Sequence, residues 1–475
     1  MTNIVSPRVV RADSMPQDTP VVPVLIVGAG ACGQTAAIRL RERRIDCLML
    51  ERDAYPSGST ALSSGFIPAA ETQLQKSLHI DDTIAQFAQD VIKKSKGQAA
   101  AHLVKAYTEG VTRAIDMLWE RGIPFEVIDG FLYPGHSARR MHAVPQRTGD
   151  ALLAALGQLA QEMGADLLVQ ARVTELWVDL NNHVLGVGYL RPNGTQEFIG
   201  CQALLLSCNG FGGNRQMVKD LLPDMAEASF GGHVGNDGSA ILWGQQLDAV
   251  LADLGGYQGH GSWVTPQGIL MTWAPMTAGA VQINRLGQRF HNETLGYSEA
   301  AVHVLHQPEG IAWNVFDSPL LDMARTFPDF IQAEKSGALK AASDIEALAG
   351  VIGCPAQRLE ETLQAVAPGI TDSFGRTFTR RLDPPYYAVK VTGALFHTQG
   401  GLDIDAQCRV RNQNGAVFPN LWAAGGAARG VSGNEVWGYL SGNGLLSAVG
   451  GGWVAAGSIA LALSGPSFKV SNARS

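Results

Sequence analysis

A chain of 475 residues exceeds the size at which a single hydrophobic core keeps growing, so two domains are expected. Its 46% hydrophobic and 17% charged residues suit a well-buried enzyme, and a net charge of -7 argues against nucleic acid as a partner. The six cysteines, Cys32, Cys47, Cys201, Cys208, Cys354 and Cys408, show no C-x-x-C or C-x-x-C-H spacing, which leaves metal sites and c-type haem unsupported and fits small core residues in a reducing cytoplasm.

Residues 1–20 lack an apolar h-region and carry prolines and charges, so they read as a flexible lead and not as a signal peptide. Residues 24–65 then combine a buried strand, a G-x-G-x-x-G turn, a helix and a second strand ending in an acid. In such a unit Gly28 allows the tight turn, Gly30 lets the backbone approach a pyrophosphate, and Gly33 permits close packing of helix on strand. The phosphate rests on the helix N-terminus, and Glu51 is placed to accept ribose hydroxyls. After Glu51 the chain runs into small and hydroxylated residues, PSGSTALSSGFIPAA, which let backbone lie against a flat ring system.

Further along, DLLVQARVTELWVD places Val173 near an adenine, and CQALLLSCNGFGGN ends another strand in glycines at Asn209 and Gly210. Residues 235–254 read as a glycine-capped helix. Between 257 and 388 the glycine turns thin out and a charged amphipathic stretch appears at 318–367, the mark of an inserted cap. From 389 onward the chain returns to the first domain: FPNLWAAGGAARG is a strand entering a glycine turn, and GNGLLSAVGGGWVAA a helix that can aim its N-terminal amides at a ring carbonyl. Residues 444–463 are uncharged and long enough to span a membrane, but their five glycines and their place after AAGG point to a buried helix, not a span. An extended isoalloxazine cofactor needs contacts from both chain ends, so FAD is favoured over NAD. The expected architecture is α/β: a discontinuous Rossmann-like FAD-binding domain, residues 21–256 and 389–475, with an inserted α+β catalytic cap over 257–388. No internal repeat is evident.

GAGACG with Glu51, STALSSG, NRLGQRFHNE (284–293), HTQGGLDID (397–405) and NLWAAGG with its following helix resemble the flavoprotein superfamily of succinate dehydrogenase, fumarate reductase and the 3-ketosteroid dehydrogenases. The resemblance covers most of the chain. It assigns cofactor contacts to Gly28, Gly30, Cys32, Gly33, Glu51, Arg52, Ser59, Thr60, Ser63, Ser64, Gly65, Val173, Asn209, Gly210, Gly425, Gly426, Asn443, Gly444 and Leu445. The STALSSG stretch has no histidine where relatives with covalent FAD carry their attachment residue, so the FAD is expected to be non-covalent.

Fumarate reductases carry an arginine proton donor shortly after the N-E and a carboxylate-binding arginine before the C-terminal glycines. At both places this chain has tyrosine, Tyr297 and Tyr439. Loss of both guanidinium groups argues against a dicarboxylate. The pair resembles instead the ketosteroid dehydrogenases, and Tyr439 with Ser441 resembles the branch that desaturates the 4,5 bond.

The resemblance implies an oxidoreductase that forms a double bond beside the ketone of a ring, either a 3-ketosteroid or a smaller ring such as 4-oxocyclohexanecarboxylate. Tyr297 would be the base, Tyr439 the ketone donor and Ser441 the relay, with the two tyrosine roles exchangeable. A flavin N5 would take the hydride, and an unidentified acceptor would reoxidise it. His397 occupies the substrate-histidine position of fumarate reductases. It and the arginines of GHSARRMHAVPQRTGD, Arg139 and Arg140, keep an acidic group on the substrate open, a solvated loop being the alternative for the arginines. Reduction of an activated double bond and a non-catalytic electron carrier are the competing functions.

Overall fold

The computed structural model describes residues 6–129 and 132–465. The ends of the expected lead and of the second cofactor segment, residues 1–5 and 466–475, lie outside the described residues.

The apolar strand Val21–Val27 sits inside a nine-stranded sheet, parallel to Cys47–Leu50 on one side and to Gln196–Leu206 on the other. Val24, Leu25 and Ile26 are wholly buried, as a near-continuous apolar run requires when both faces of a strand are covered. Helix Ala31–Glu42 makes the crossover to Cys47–Leu50. It starts at Gly30, which has no side chain to cap it; the Ala31 amide donates to Thr60 Oγ1 at 3.2 Å, and the amides that follow have no side-chain cap to compete with a ligand. On its other edge Gln196–Leu206 is shared between two more neighbours. Its first half pairs antiparallel with Val184–Leu190, and its last three residues pair parallel with Leu421–Ala423 of the strand Val417–Ala423. That pairing brings the two distant chain segments into one α/β domain.

Two local readings change. Arg8–Arg11, expected in a flexible lead, forms a strand parallel to Arg172–Val178, with Arg8 Nε donating to Glu175 Oε1 at 2.8 Å. Four residues show too little periodicity to announce a strand that exists only through its neighbour. The helix expected over 235–254 is confined to Ser239–Gln246. Gly238, at φ 80°, turns the chain into it, and Asp248, at φ 54°, turns the chain out.

The cap is built on a seven-stranded sheet whose centre is Tyr386–Thr398, paired with Tyr257–Val264 and Ile311–Asp317. The boundary read at 388/389 therefore falls inside this strand, and Ser229–Phe230 also joins the cap sheet. Glycine density, the signal used for the boundary, rises only where the strand ends. Within the amphipathic stretch lie four helices, Ser318–Ala324, Pro328–Lys335, Ile345–Ile352 and Ala356–Gln364.

Helix Asn443–Ser464 is long and apolar enough to cross a membrane, and 61% of its apolar stretch is buried in the protein. It packs on Ala31–Glu42 and Ala101–Glu120. A Cβ on Gly450 would lie 2.8 Å from the Tyr107 carbonyl, so the glycines serve helix-to-helix approach. The turn Leu446–Gly450 is π-helical, a distortion that frequently accompanies functional sites.

Candidate active site

A cavity of about 790 Å³ is lined by residues of the large hydrophobic cores of the cofactor domain and of the cap. At one end lie the glycine turns. Gly28 has φ 102°, and a Cβ there would meet the Ser207 carbonyl at 2.6 Å. Gly33 does not line the cavity; a Cβ on it would stand 2.0 Å from the Gly28 oxygen, so its role is packing. Glu51 closes this end, buried, its carboxylate accepting from the amides of Ala29 and Asp53 at 3.1 Å each. Burial raises its pKa above the ordinary carboxylate value, partly offset by those amides.

Ser59, Thr60, Ser63, Ser64 and Gly65 line the next stretch, with Gly30, Cys32, Arg52, Val173, Asn209, Gly425, Gly426, Gly444 and Leu445. Gly65 has φ 72° and would clash with Thr148 if it carried a Cβ. Asn209 adopts φ 68° and donates to Ser59 Oγ at 2.9 Å. Gly210 and Asn443 support the wall without lining it: Gly210 leaves no room beside Thr398, and Asn443 is fully buried with its amide on Ser432 Oγ at 2.9 Å. Ser447 Oγ on the cavity wall and Asn443 Oδ1 behind it are buried without hydrogen-bond partners. Orphaned polar atoms of this kind are rare in proteins. Together with uncapped helix amides and glycine walls, they fit a bound dinucleotide with a flat polar ring.

The other end of the cavity belongs to the cap. Strand Tyr257–Val264 presses on helix Tyr297–Leu305 because Gly259 and Gly261 carry no side chains; a Cβ on either would lie within 2.8 Å of Ala301 or Ala300. That approach stacks His260 on Tyr297, ring centres 4.7 Å apart at 20°. Tyr439 faces Tyr297 at 6.2 Å, and His397 meets Tyr439 edge-on at 5.6 Å. Burial pushes Tyr297 up to about 12 against the pull of the neighbouring Ser441 and Tyr439 hydroxyls. Burial raises Tyr439 well above a normal phenol, with Tyr297 adding to the rise. The Gly444 amide donates to the Tyr439 oxygen at 3.4 Å.

Both histidines are held neutral by burial, His260 down to about 3 and His397 to about 4. His260 Nδ1 accepts from the Ser262 amide at 3.1 Å, which leaves the proton on Nε2. Asn443, Ser432 and Gln399 form a bonded chain ending on His397 Nδ1 at 3.1 Å, which sets that ring.

Arg139 and Arg140, expected to bind substrate, are not in this cavity. Arg140 is wholly buried between Asp82 and Asp90, and Arg139 is exposed beside Asp129. A guanidinium flanked by two buried carboxylates has its charge already matched, so neither a solvated loop nor a substrate clamp describes Arg140. The three arginines that do line the cavity are all paired, Arg52 and Arg172 with Asp237 and Arg147 with Glu126.

Sequence reasoning overlooked His260, Trp263, Trp273 and Phe396, which enclose the tyrosines. The glycine-flanked histidine in GHGSW is the one signal that pointed there.

The fold and the cavity define a flavoprotein oxidoreductase acting on CH–CH or C=C bonds. The chain belongs to the FAD binding domain family, whose model matches residues 23–445, and FAD is its cofactor. It is similar to a probable fumarate reductase of Shewanella frigidimarina, 26% identical over 90% of this chain and 72% of that one. Its fold matches the open conformation of a flavocytochrome c3 fumarate reductase, with TM-score 0.79 and 25% identity, over 93% of this chain and 78% of that one. It also matches a 3-ketosteroid Δ4-(5α)-dehydrogenase of Rhodococcus jostii, with TM-score 0.75 and 23% identity, over 95% and 100% of the two chains. The chain is thus an FAD-dependent oxidoreductase of the FAD binding domain family, similar in sequence and fold to fumarate reductases.

Proposed function

We propose that this enzyme desaturates the bond beside the carbonyl of a neutral cyclic ketone. The observation that carries this reading is the pair of facing phenols at 6.2 Å in a cavity whose three arginines are already ion-paired. A dicarboxylate would find no free guanidinium among the described lining residues, and five carboxylates also line the cavity: Glu51, Asp53, Asp150, Asp237 and Asp329. With Arg139 and Arg140 outside it, the case for a carboxylate on the ketone weakens too.

In this reading Tyr439 donates to the carbonyl oxygen, polarising it as charge develops there. Tyr297, with the less raised pKa, takes the α-proton, and the Ser441 hydroxyl steadies its oxygen as it titrates. The flavin supplies the acceptor for the β-hydrogen, which leaves as hydride. Trp263, Trp273 and Phe396 exclude water from the ring. Two electrons leave the substrate, so an external acceptor must complete the cycle.

Because burial keeps Tyr297 protonated near neutrality, desaturation should accelerate with rising pH, about tenfold per unit below the pKa of the base. Anaerobic mixing with a 5α-saturated 3-ketosteroid, cyclohexanone, 4-oxocyclohexanecarboxylate and succinate tests the proposal. Flavin bleaching by a neutral ketone, faster at alkaline pH, is expected. Bleaching by succinate alone, or by none, overturns it.

One observation favours reduction as a second reading: a phenol held neutral is a ready proton donor to a C=C bond, and the Shewanella frigidimarina relative is a probable fumarate reductase. Reoxidation of the reduced enzyme by an enone, without an alkaline rise, would select that direction.

A further inference from the structure

Arg140 and His136, which lie behind the cavity wall, form a chain of contacts that ends on the catalytic segment. Arg140 is bidentate with Asp82, Nε to Oδ2 at 3.0 Å and Nη2 to Oδ1 at 2.7 Å, and donates Nη1 to Asp90 at 2.5 Å. The same Nη1 lies 3.4 Å from His136 Nδ1. An arginine always donates, so Nδ1 is the acceptor and the histidine proton sits on Nε2. That Nε2 is 2.8 Å from the carbonyl oxygen of Ser441 and donates to it. The neighbouring backbone is equally close: a Cβ on Gly135 would lie 2.8 Å from Leu440 Cδ1.

Resting on the reading above, we infer that His136 is a positioning residue: oriented by Arg140, it grips the Ser441 carbonyl from behind and so fixes where the Ser441 hydroxyl stands on the cavity wall that Tyr297 shares. Burial, reinforced by the Arg140 charge, keeps the ring neutral down to about 4, so the donor arrangement persists across the working range. An ion cluster that is sealed from substrate thereby determines where a proton-handling hydroxyl stands. The cost of removing it should fall on the chemical step and not on ligand affinity, because misplacing a reacting group by about 1 Å can lose up to about a hundredfold in rate.

The test uses the FAD-loaded enzyme and whichever ketone of the panel above bleaches it fastest. His136→Asn keeps an acceptor toward Arg140 but withdraws the donor from Ser441; His136→Gln extends an amide donor toward the position of Nε2. We expect His136→Asn to slow the limiting bleaching rate about ten- to a hundredfold, with unchanged FAD content and ketone affinity. His136→Gln should recover most of that loss. Adding Ser441→Ala to His136→Asn should cost no more than Ser441→Ala alone, since both act through one hydroxyl.

A normal limiting rate in His136→Asn, multiplicative losses in the double variant, or a loss confined to ketone affinity or FAD content would overturn the inference while leaving the two tyrosines in place. If Ser441→Ala itself is fully active, this inference falls alone; if no ketone bleaches the flavin, the functional reading falls and this inference with it.

Discussion

Glu293 and Tyr297 stand four residues apart at the end of one motif, both buried, and the protein treats them in opposite ways. Glu293 is fully ionised. Arg289 reaches it at 2.5 and 2.9 Å and Arg376 at 2.6 Å, and together with the Gln282 amide they hold its pKa down to about 2 despite burial. Tyr297 lies among hydroxyls and a neutral imidazole, and burial, with a smaller push from the Glu299 carboxylate, drives its phenol up to about 12. A buried charge survives only where opposite charges and hydrogen bonds replace water. The cap therefore sets Arg289 and Arg376 on a structural acid and keeps guanidinium groups away from the adjoining phenols, which is the electrostatic setting a neutral ketone needs.

That contrast is open to attack from either side. The largest effect is expected on the neutral wall: Tyr297→Phe or Tyr439→Phe should lose about 10² to 10⁴ in bleaching rate while FAD absorbance per protein stays normal. Full activity in both would end the proposed chemistry.

On the charged side, Glu293→Gln leaves two buried arginines short of a partner and should cost about 3–5 kcal/mol in denaturant unfolding. Since the folded pKa of Glu293 is depressed, its stabilisation is complete above the ordinary value of 4.5 and is lost as pH falls toward about 2. The gap between variant and parent should narrow on acidification; a constant gap would mean the carboxylate's charge is not what matters.

The smallest effect concerns Asp329, a half-buried cavity carboxyl that burial raises to about 7. Here the sign reverses: its contribution is complete below the ordinary value of 3.8 and is lost as pH rises through about 7. Melting temperatures at pH 5 and pH 8 should therefore differ more in the parent than in Asp329→Asn.

Local pattern carried far in this chain. The glycine spacing at Gly28, Gly30 and Gly33, the acid at Glu51 and the hydroxylated run from Ser59 to Gly65 announced a cofactor wall, because close backbone approach admits so few residue types. The tyrosines at 297 and 439 were likewise found from motif context. Arg139 and Arg140 were misread, because a run of basic residues looks the same in sequence whether it faces solvent, substrate or a buried acid. Only Asp82 and Asp90, some fifty residues upstream, distinguish these cases, and no spacing rule connects them to Arg140.

His260 was missed for a related reason: its importance lies in the stacking that Gly259 and Gly261 permit against a helix forty residues later, a contact whose one local trace is that pair of flanking glycines. Sequence alone thus determined the cofactor and the α/β class, which rest on residue types that short-range geometry demands, while the two phenols were singled out by resemblance to known flavoproteins. Tertiary structure decided which charges were free, which histidines were neutral and how the strands divided between cap and cofactor domain, because those depend on which distant groups replace water around each side chain.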